Sequence, residues 1–208
     1  MKKERGDLSI IRWSIHTRKQ EKRNRLLKRT PNYKKYAIQG NCIKKIYLFY
    51  SLRQKESMEK YPRYSHAYFM QKAIQLAQQA AEEGEVPIGA VVVAEGKKII
   101  GKGYNQTEKL QDVTAHAEII ALSAASQYLG GKYLQNCTMY ITLEPCTMCA
   151  GALGWSQISR IVYGAAELKK GFSQFKPRIL HPKTEIITGI LAEECQQILR
   201  AFFQDKRK

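Results

Sequence analysis

From Ser65 onward, apolar residues follow two alternating rhythms. Met70, Ala73, Ile74, Ala77, Ala80 and Ala81 recur at helical spacing. That predicts a helix capped by Ser65 and ended near Gly84. The unbroken run "IGAVVV" at 88–93 reads as a buried strand. After a turn at Glu95-Gly96, "KKIIGKGY" reads as its hairpin partner. "TAHAEIIALSAASQYL" predicts a second helix, "CTMYITL" at 137–143 a third strand, "CTMCAGALGW" a third helix and "SRIVYG" a fourth strand. A loop over about 165–183 leads to a short fifth strand in "TEIITGI". Cys195, Ile198, Leu199 and Phe202 mark a C-terminal helix. Helices alternating with strands give an α/β class, with helices on both faces of one sheet. No internal repeat is present.

Residues 1–57 break this regularity. "TRKQEKRNRLLKRTPNYKK" is a charge run interrupted by Pro31, and "CIKKIYLFYSL" is a short apolar patch. The chain of 208 residues carries 35 Lys+Arg against 18 Asp+Glu, a net charge of +17. Residues 1–57 hold 17 and 4 of these, or +13, leaving +4 for residues 58–208. Basicity is therefore a property of the extension, and the regular domain is expected to begin at Met58. Composition leaves three readings of the extension open: a phosphate-binding arm, a solvated tail and a transit peptide. It lacks the apolar core and small-residue cleavage site of a secretory signal. No apolar run is long enough to span a bilayer. The five cysteines, Cys42, Cys137, Cys146, Cys149 and Cys195, are odd in number and do not form a secreted disulfide framework. A reducing cytoplasm suits them.

Chemistry enters at "LEPCTMC", residues 143–149. Two cysteines at this spacing can hold a metal, form a redox pair or pack. Pro145 suits the first position of a helix, which puts Cys146 and Cys149 on one face near the positive end of the dipole. That setting favours thiolates, which are good zinc ligands. Of four histidines, His16 is in the basic extension, His66 opens the first helix and His181 follows the long loop. His66 and His181 read as structural or surface residues. His116 opens the second helix inside "AHAE", with Glu118 two residues on. One helix and one strand separate His116 from Cys146, a crossover of a size that returns the chain beside itself in parallel. Three protein ligands leave the fourth tetrahedral position open, as in catalytic rather than structural zinc sites. A metal there activates water for attack on an electrophilic carbon, and a nearby carboxylate can move the protons. Spacing alone does not aim Glu118 at the metal, because i and i+2 diverge on a regular helix.

"HAE" followed by "PCTMC" matches the known H-x-E…P-C-x-x-C signature of zinc-dependent nucleobase deaminases. "EVPIGAVVV", "GKGYN", "TAHAEIIAL", "MYITLEPCTMCAGAL", "RIVYGA", "TGILAEEC" and "AFF" extend the likeness over residues 62–207. The domain thus resembles the bacterial TadA-type tRNA-specific adenosine deaminases. The resemblance implies a cytidine-deaminase-like fold with a central five-stranded mixed sheet, a homodimer, and conversion of the wobble adenosine of a tRNA anticodon to inosine. It also implies one zinc per subunit on His116, Cys146 and Cys149. Glu118 would carry protons first to the ring N1 and then to the leaving amino group. Asn105 would contact the base, and Ile88 and Leu143 would wall the pocket. Phe202 and Phe203, followed by Lys206, Arg207 and Lys208, would face RNA, an aromatic pair beside a basic tail. Cys137 and Cys195 read as core residues.

The chain departs from the family at Ala166-Glu167, where members often carry Arg-Asp, and in a short following loop. That loop stays basic through Lys169, Lys170, Lys176, Arg178 and Lys183. Two competing functions follow. One is deamination of a free base or nucleoside such as guanine or cytosine. The other is a non-catalytic zinc-bearing RNA-binding module. Mass spectrometry of the native protein is expected to find no peptide from residues 1–50, and finding one overturns Met58 as the start. The 58–208 fragment is expected to keep its zinc.

Overall fold

The computed structural model describes residues 61–175 and 179–207. The basic extension, Met58, Lys176, Arg178 and Lys208 lie outside the described residues. Five strands form one sheet: β1 (Gly89–Ala94), β2 (Lys98–Tyr104), β3 (Cys137–Leu143), β4 (Arg160–Ala165) and β5 (Glu185–Thr188). Their order is β2-β1-β3-β4-β5. β1 runs antiparallel to β2 and β3, while β4 runs parallel to β3 and β5. The sheet is mixed and five-stranded, as expected. The apolar runs are unbroken because both sheet faces are covered. Ala90, Val92, Met139, Ile141 and Ile161 point to one face, and Val91, Val93, Tyr140 and Val162 to the other.

Helices α1 (His66–Glu82) and α5 (Ala192–Lys206) cover the second face through Phe69, Met70, Ala73, Ile74, Cys195 and Ile198. Helix α1 starts as expected, with the Tyr68 amide donating to Ser65 Oγ at 3.1 Å. Helices α3 (Ala117–Leu129) and α4 (Thr147–Trp155) cover the first face through Ala117, Ala121, Ala125, Ala150 and Leu153. Cys137 and Cys195 are both buried. No helix among the described residues is long and apolar enough to cross a membrane.

The approach of α3 to the sheet is very close. A Cβ at Gly103 would meet the Ala117 carbonyl oxygen and the Ala121 nitrogen, and one at Gly101 would meet the Ala121 carbonyl and Ala125. Glycines on β2 face alanines on α3, so helix backbone rests almost directly on strand backbone. The first turn of α3 is pinned there. β2 and β3 run in the same direction with β1 between them, so they are parallel but not neighbours. Helices α3 and α4 therefore both begin beyond strand carboxyl ends on one edge of the sheet, where open α/β sheets gather ligands.

Two helix starts differ from expectation, and one short helix is additional. Helix α3 begins at Ala117 with His116 as its N-cap, and α4 begins at Thr147 with Cys146 as its N-cap. Pro145 consequently precedes the cap instead of opening the helix. A short helix, α2 (Thr107–Leu110), fills the stretch after β2, where too few residues exist to express a period. The contact at Gly103 sets a stability test. Gly103→Ala is expected to destabilise the fold by about 1–3 kcal/mol by forcing α3 off the strand. It should also weaken zinc retention. An unchanged urea midpoint would show that the close approach carries no constraint.

Candidate metal centre and active site

The turn before α3 is built by Asp112, whose Oδ1 accepts from the Thr114 amide at 2.8 Å and hydroxyl at 2.7 Å. It delivers His116 in an extended conformation, φ −74° and ψ 153°. Cys146 is likewise extended, φ −71° and ψ 170°. His116 Nδ1 lies 3.7 Å from Cys146 Sγ and 3.5 Å from Cys149 Sγ. The three ligand atoms all fall within 4.8 Å of one another, the one such group of His, Cys, Asp or Glu among the described residues. For zinc bonds of about 2.05 Å to nitrogen and 2.3 Å to sulfur, a tetrahedral angle separates the two atoms by roughly 3.6 Å. The cluster fits zinc in both spacing and donor type. His66 and His181 stand apart: His66 Nδ1 lies 3.0 Å from the Tyr140 hydroxyl, and His181 Nδ1 accepts from the Lys183 amide.

The thiols share charge unequally. Hydrogen bonds from Cys149 and His116 draw Cys146 down to about 4, against the effect of its burial. The same bond to Cys146, together with burial, pushes Cys149 up. His116 rises because it hydrogen-bonds the Cys146 sulfur. Cys146 is therefore the more acidic of the two thiols and Cys149 the more firmly protonated.

Glu118 is 4% exposed, and burial raises its carboxyl above the usual range. Its Oε2 has no hydrogen-bond partner. A buried carboxylate oxygen left unpaired is costly and rare in folded proteins. The divergence of i and i+2 does not apply to Glu118, because His116 is an extended cap and only Glu118 is helical.

Asn105, also 4% exposed, has an unpartnered Oδ1. Its amide donates to the Ile88 carbonyl at 3.1 Å, and the Gln106 amide donates to the Ala115 carbonyl at 3.0 Å. These bonds tie Asn105 and Ile88 to the turn that carries His116. Ile88 packs on the α3/α4 side of the sheet, but Leu143 packs with the α1/α5 cluster. Phe202 and Phe203 lie on α5, with ring centroids 5.4 Å apart, and Phe203 is 44% exposed. Lys206 Nζ stands 5.5 Å from the Phe202 ring centre.

Two buried carboxylates escaped the sequence reading. Glu85, 1% exposed, accepts from the Thr107 hydroxyl and from the Glu108 and Lys109 amides at 3.2, 3.3 and 2.8 Å. It holds the start of α2, just past Asn105. Glu144, 4% exposed, accepts from the Glu167 and Ser173 amides at 3.1 and 3.0 Å. The one signal available was a Glu close before a Pro in "EVP" and "EPC".

Residues 63–165 match the family model described as the cytidine and deoxycytidylate deaminase zinc-binding region. A tRNA-specific adenosine deaminase of Haemophilus influenzae is 45% identical over 144 residues, covering 67% of this chain and 83% of that protein. One from Agrobacterium fabrum is 41% identical, covering 67% and 95%. A solved structure from a study of A-to-I editing by tRNA:A34 deaminases superposes with a TM-score of 0.60 at 40% identity, covering 64% of this chain and 99% of that one. A guanine deaminase from Nitrosomonas europaea, 24% identical with a TM-score of 0.57 over 65% of this chain and 83% of its own, shares the fold.

The unequal thiol pair makes zinc uptake a proton-releasing event. Calorimetry of the metal-free protein at pH 7, in buffers of different ionisation enthalpy, is expected to report at least about one proton released per zinc, from Cys149. Binding with no proton release would contradict the described protonation.

Proposed function

The chain belongs to the tRNA-specific adenosine deaminases of the zinc-dependent cytidine and deoxycytidylate deaminase family, and from that premise we propose the residues and partners of its reaction. The protein is a zinc-dependent hydrolase acting on a cyclic amidine C–N bond. It converts the wobble adenosine of a tRNA anticodon loop to inosine, consuming water and releasing ammonia. An unpaired anticodon base is cheap to splay into a pocket.

His116, Cys146 and Cys149 hold the zinc. A zinc ion bound there supplies a water activated for nucleophilic attack near neutral pH. Glu118 handles the protons. It receives one proton from the attacking water and delivers it to N1 of the purine, then takes the second from the hydroxyl left on C6 and gives it to the amino group, which leaves as ammonia. The observation that carries this assignment is the unpartnered, buried Glu118 oxygen beside a three-ligand cluster. Asn105 orients the base, since its side-chain amide both donates and accepts and its carbonyl oxygen is free. Ile88 provides an apolar wall, and Leu143 is its proposed counterpart at the end of β3. Phe202, Phe203, Lys206 and Arg207 meet the RNA at the end of α5 by stacking and phosphate contact.

The domain is proposed to comprise residues 58–208, with 1–57 as an added extension, and to work in the cytoplasm, in keeping with its free cysteines. It is further proposed to pair as a homodimer. Support for pairing comes from the open groove between the end of α3 and α4, where Tyr133 and Trp155 are 48% and 86% exposed.

The altered Ala166-Glu167 segment is the observation that favours a second reading, deamination of free guanine. The two readings separate when the protein is incubated with an unmodified A34 anticodon stem-loop and with guanine. Inosine in the stem-loop is the expected product; guanine turnover without it removes the tRNA reading. Glu118→Ala is expected to keep one zinc per chain and lower inosine formation by about 10²–10⁴-fold. Unchanged inosine formation would remove Glu118 from the mechanism.

A further inference from the structure

The loop after β4 is held far more firmly than its position at the surface requires. The Glu144 carboxylate takes an amide from each end of it, Glu167 and Ser173. In the middle, the Phe172 amide donates to the Pro145 carbonyl at 3.0 Å, and Gly171 pairs with Cys146 in an isolated antiparallel bridge. The Phe172 side chain is buried in the α3/α4 cluster against Tyr163. A carboxylate suits this position because it only accepts hydrogen bonds and offers two oxygens to two inward-facing amides. What the pinned loop shows to solvent is Leu168, 81% exposed, with Lys169 and Lys170 beside it. Lys170 is the chain neighbour of the residue bridged to Cys146. The loop therefore carries two cations and an apolar side chain at a fixed place next to the metal centre.

We propose that Glu144 is a positioning residue: by bonding the Glu167 and Ser173 amides it fixes the Leu168-Lys170 tip beside Cys146, where the lysines take phosphates of the RNA that flank the target base. Phosphate contacts of this kind set register and orientation on the nucleic acid. The proposal rests on the RNA-substrate reading above. It assigns Glu144 to substrate placement and to neither the chemistry nor the retention of zinc.

Two substitutions on different elements test it. Glu144→Gln keeps size and shape but turns an N–H2 toward one of the two amides. Gly171→Ala leaves the carboxylate in place but sets a Cβ at 2.5–2.6 Å from its Cδ and Oε1 and still nearer the Glu167 carbonyl oxygen, so the loop must shift away from the carboxylate. Each variant is expected to keep one zinc per chain. Each should speed amide hydrogen exchange across 167–173 by about tenfold or more, as expected for loss of a hydrogen bond to a charged group. KM for an A34 stem-loop should rise by about tenfold, with kcat within about twofold of the parent. A purely structural role would lower the melting temperature and leave KM unmoved. Unchanged exchange, a fall in kcat at constant KM, or loss of zinc or of folding in both variants overturns the assignment. Faster exchange in a protein whose parent forms no inosine would instead locate the failure in the RNA reading, because exchange and zinc content are read without RNA.

Discussion

The contact between α3 and β2 is the constraint from which the site follows. With glycines on the strand and alanines on the helix, no side chain stands between the two backbones. Packing of this closeness tolerates little displacement. The first turn of α3 is thereby fixed, and His116, its cap, is fixed with it. Cys146 is the cap that follows β3 and is bridged to Gly171. Two helix N-termini then converge on one volume. Each contributes the positive end of its dipole, which favours thiolate over thiol.

Three buried glutamates divide the remaining work. Both oxygens of Glu85 and of Glu144 accept from backbone amides, and Glu85 also accepts from the Thr107 hydroxyl. Their carboxylates act as internal staples, one holding the start of α2 beyond Asn105 and the other holding the loop after β4. Glu118 is equally buried but keeps an oxygen without a partner. Folding alone would not favour such a group, because an unsatisfied buried carboxylate costs stability. The proposed proton-carrying role rests on that one open oxygen. Asn105 likewise keeps a buried, unpartnered Oδ1.

The strands were legible because both faces of the sheet are buried, so each appears as a compact apolar run. β3 matches its expected bounds to the residue. The cluster of His116, Cys146 and Cys149 was legible because CxxC and HxE are local patterns, and their pairing follows from a family signature. Helix starts were less legible. His116 and Cys146 sit at apparent helix openings, yet both are extended caps, and only backbone geometry distinguishes a cap from a first turn. Glu85 and Glu144 were invisible for a different reason. Most of their partners are backbone amides 23 to 29 residues away, and a backbone donor leaves no trace in a sequence. At the end of β3, Leu143 packs with the face opposite the one that Met139 and Ile141 serve, a switch that simple alternation does not express.

The central claim is that two helix caps and one first-turn cysteine make a three-ligand zinc site with an open position. X-ray absorption at the zinc edge of the metal-loaded protein tests it most directly. The account predicts two sulfurs at about 2.3 Å and two lighter atoms at about 2.0–2.1 Å. A third sulfur in the shell, drawn from Cys137 or Cys195, or a shell without sulfur, would contradict it.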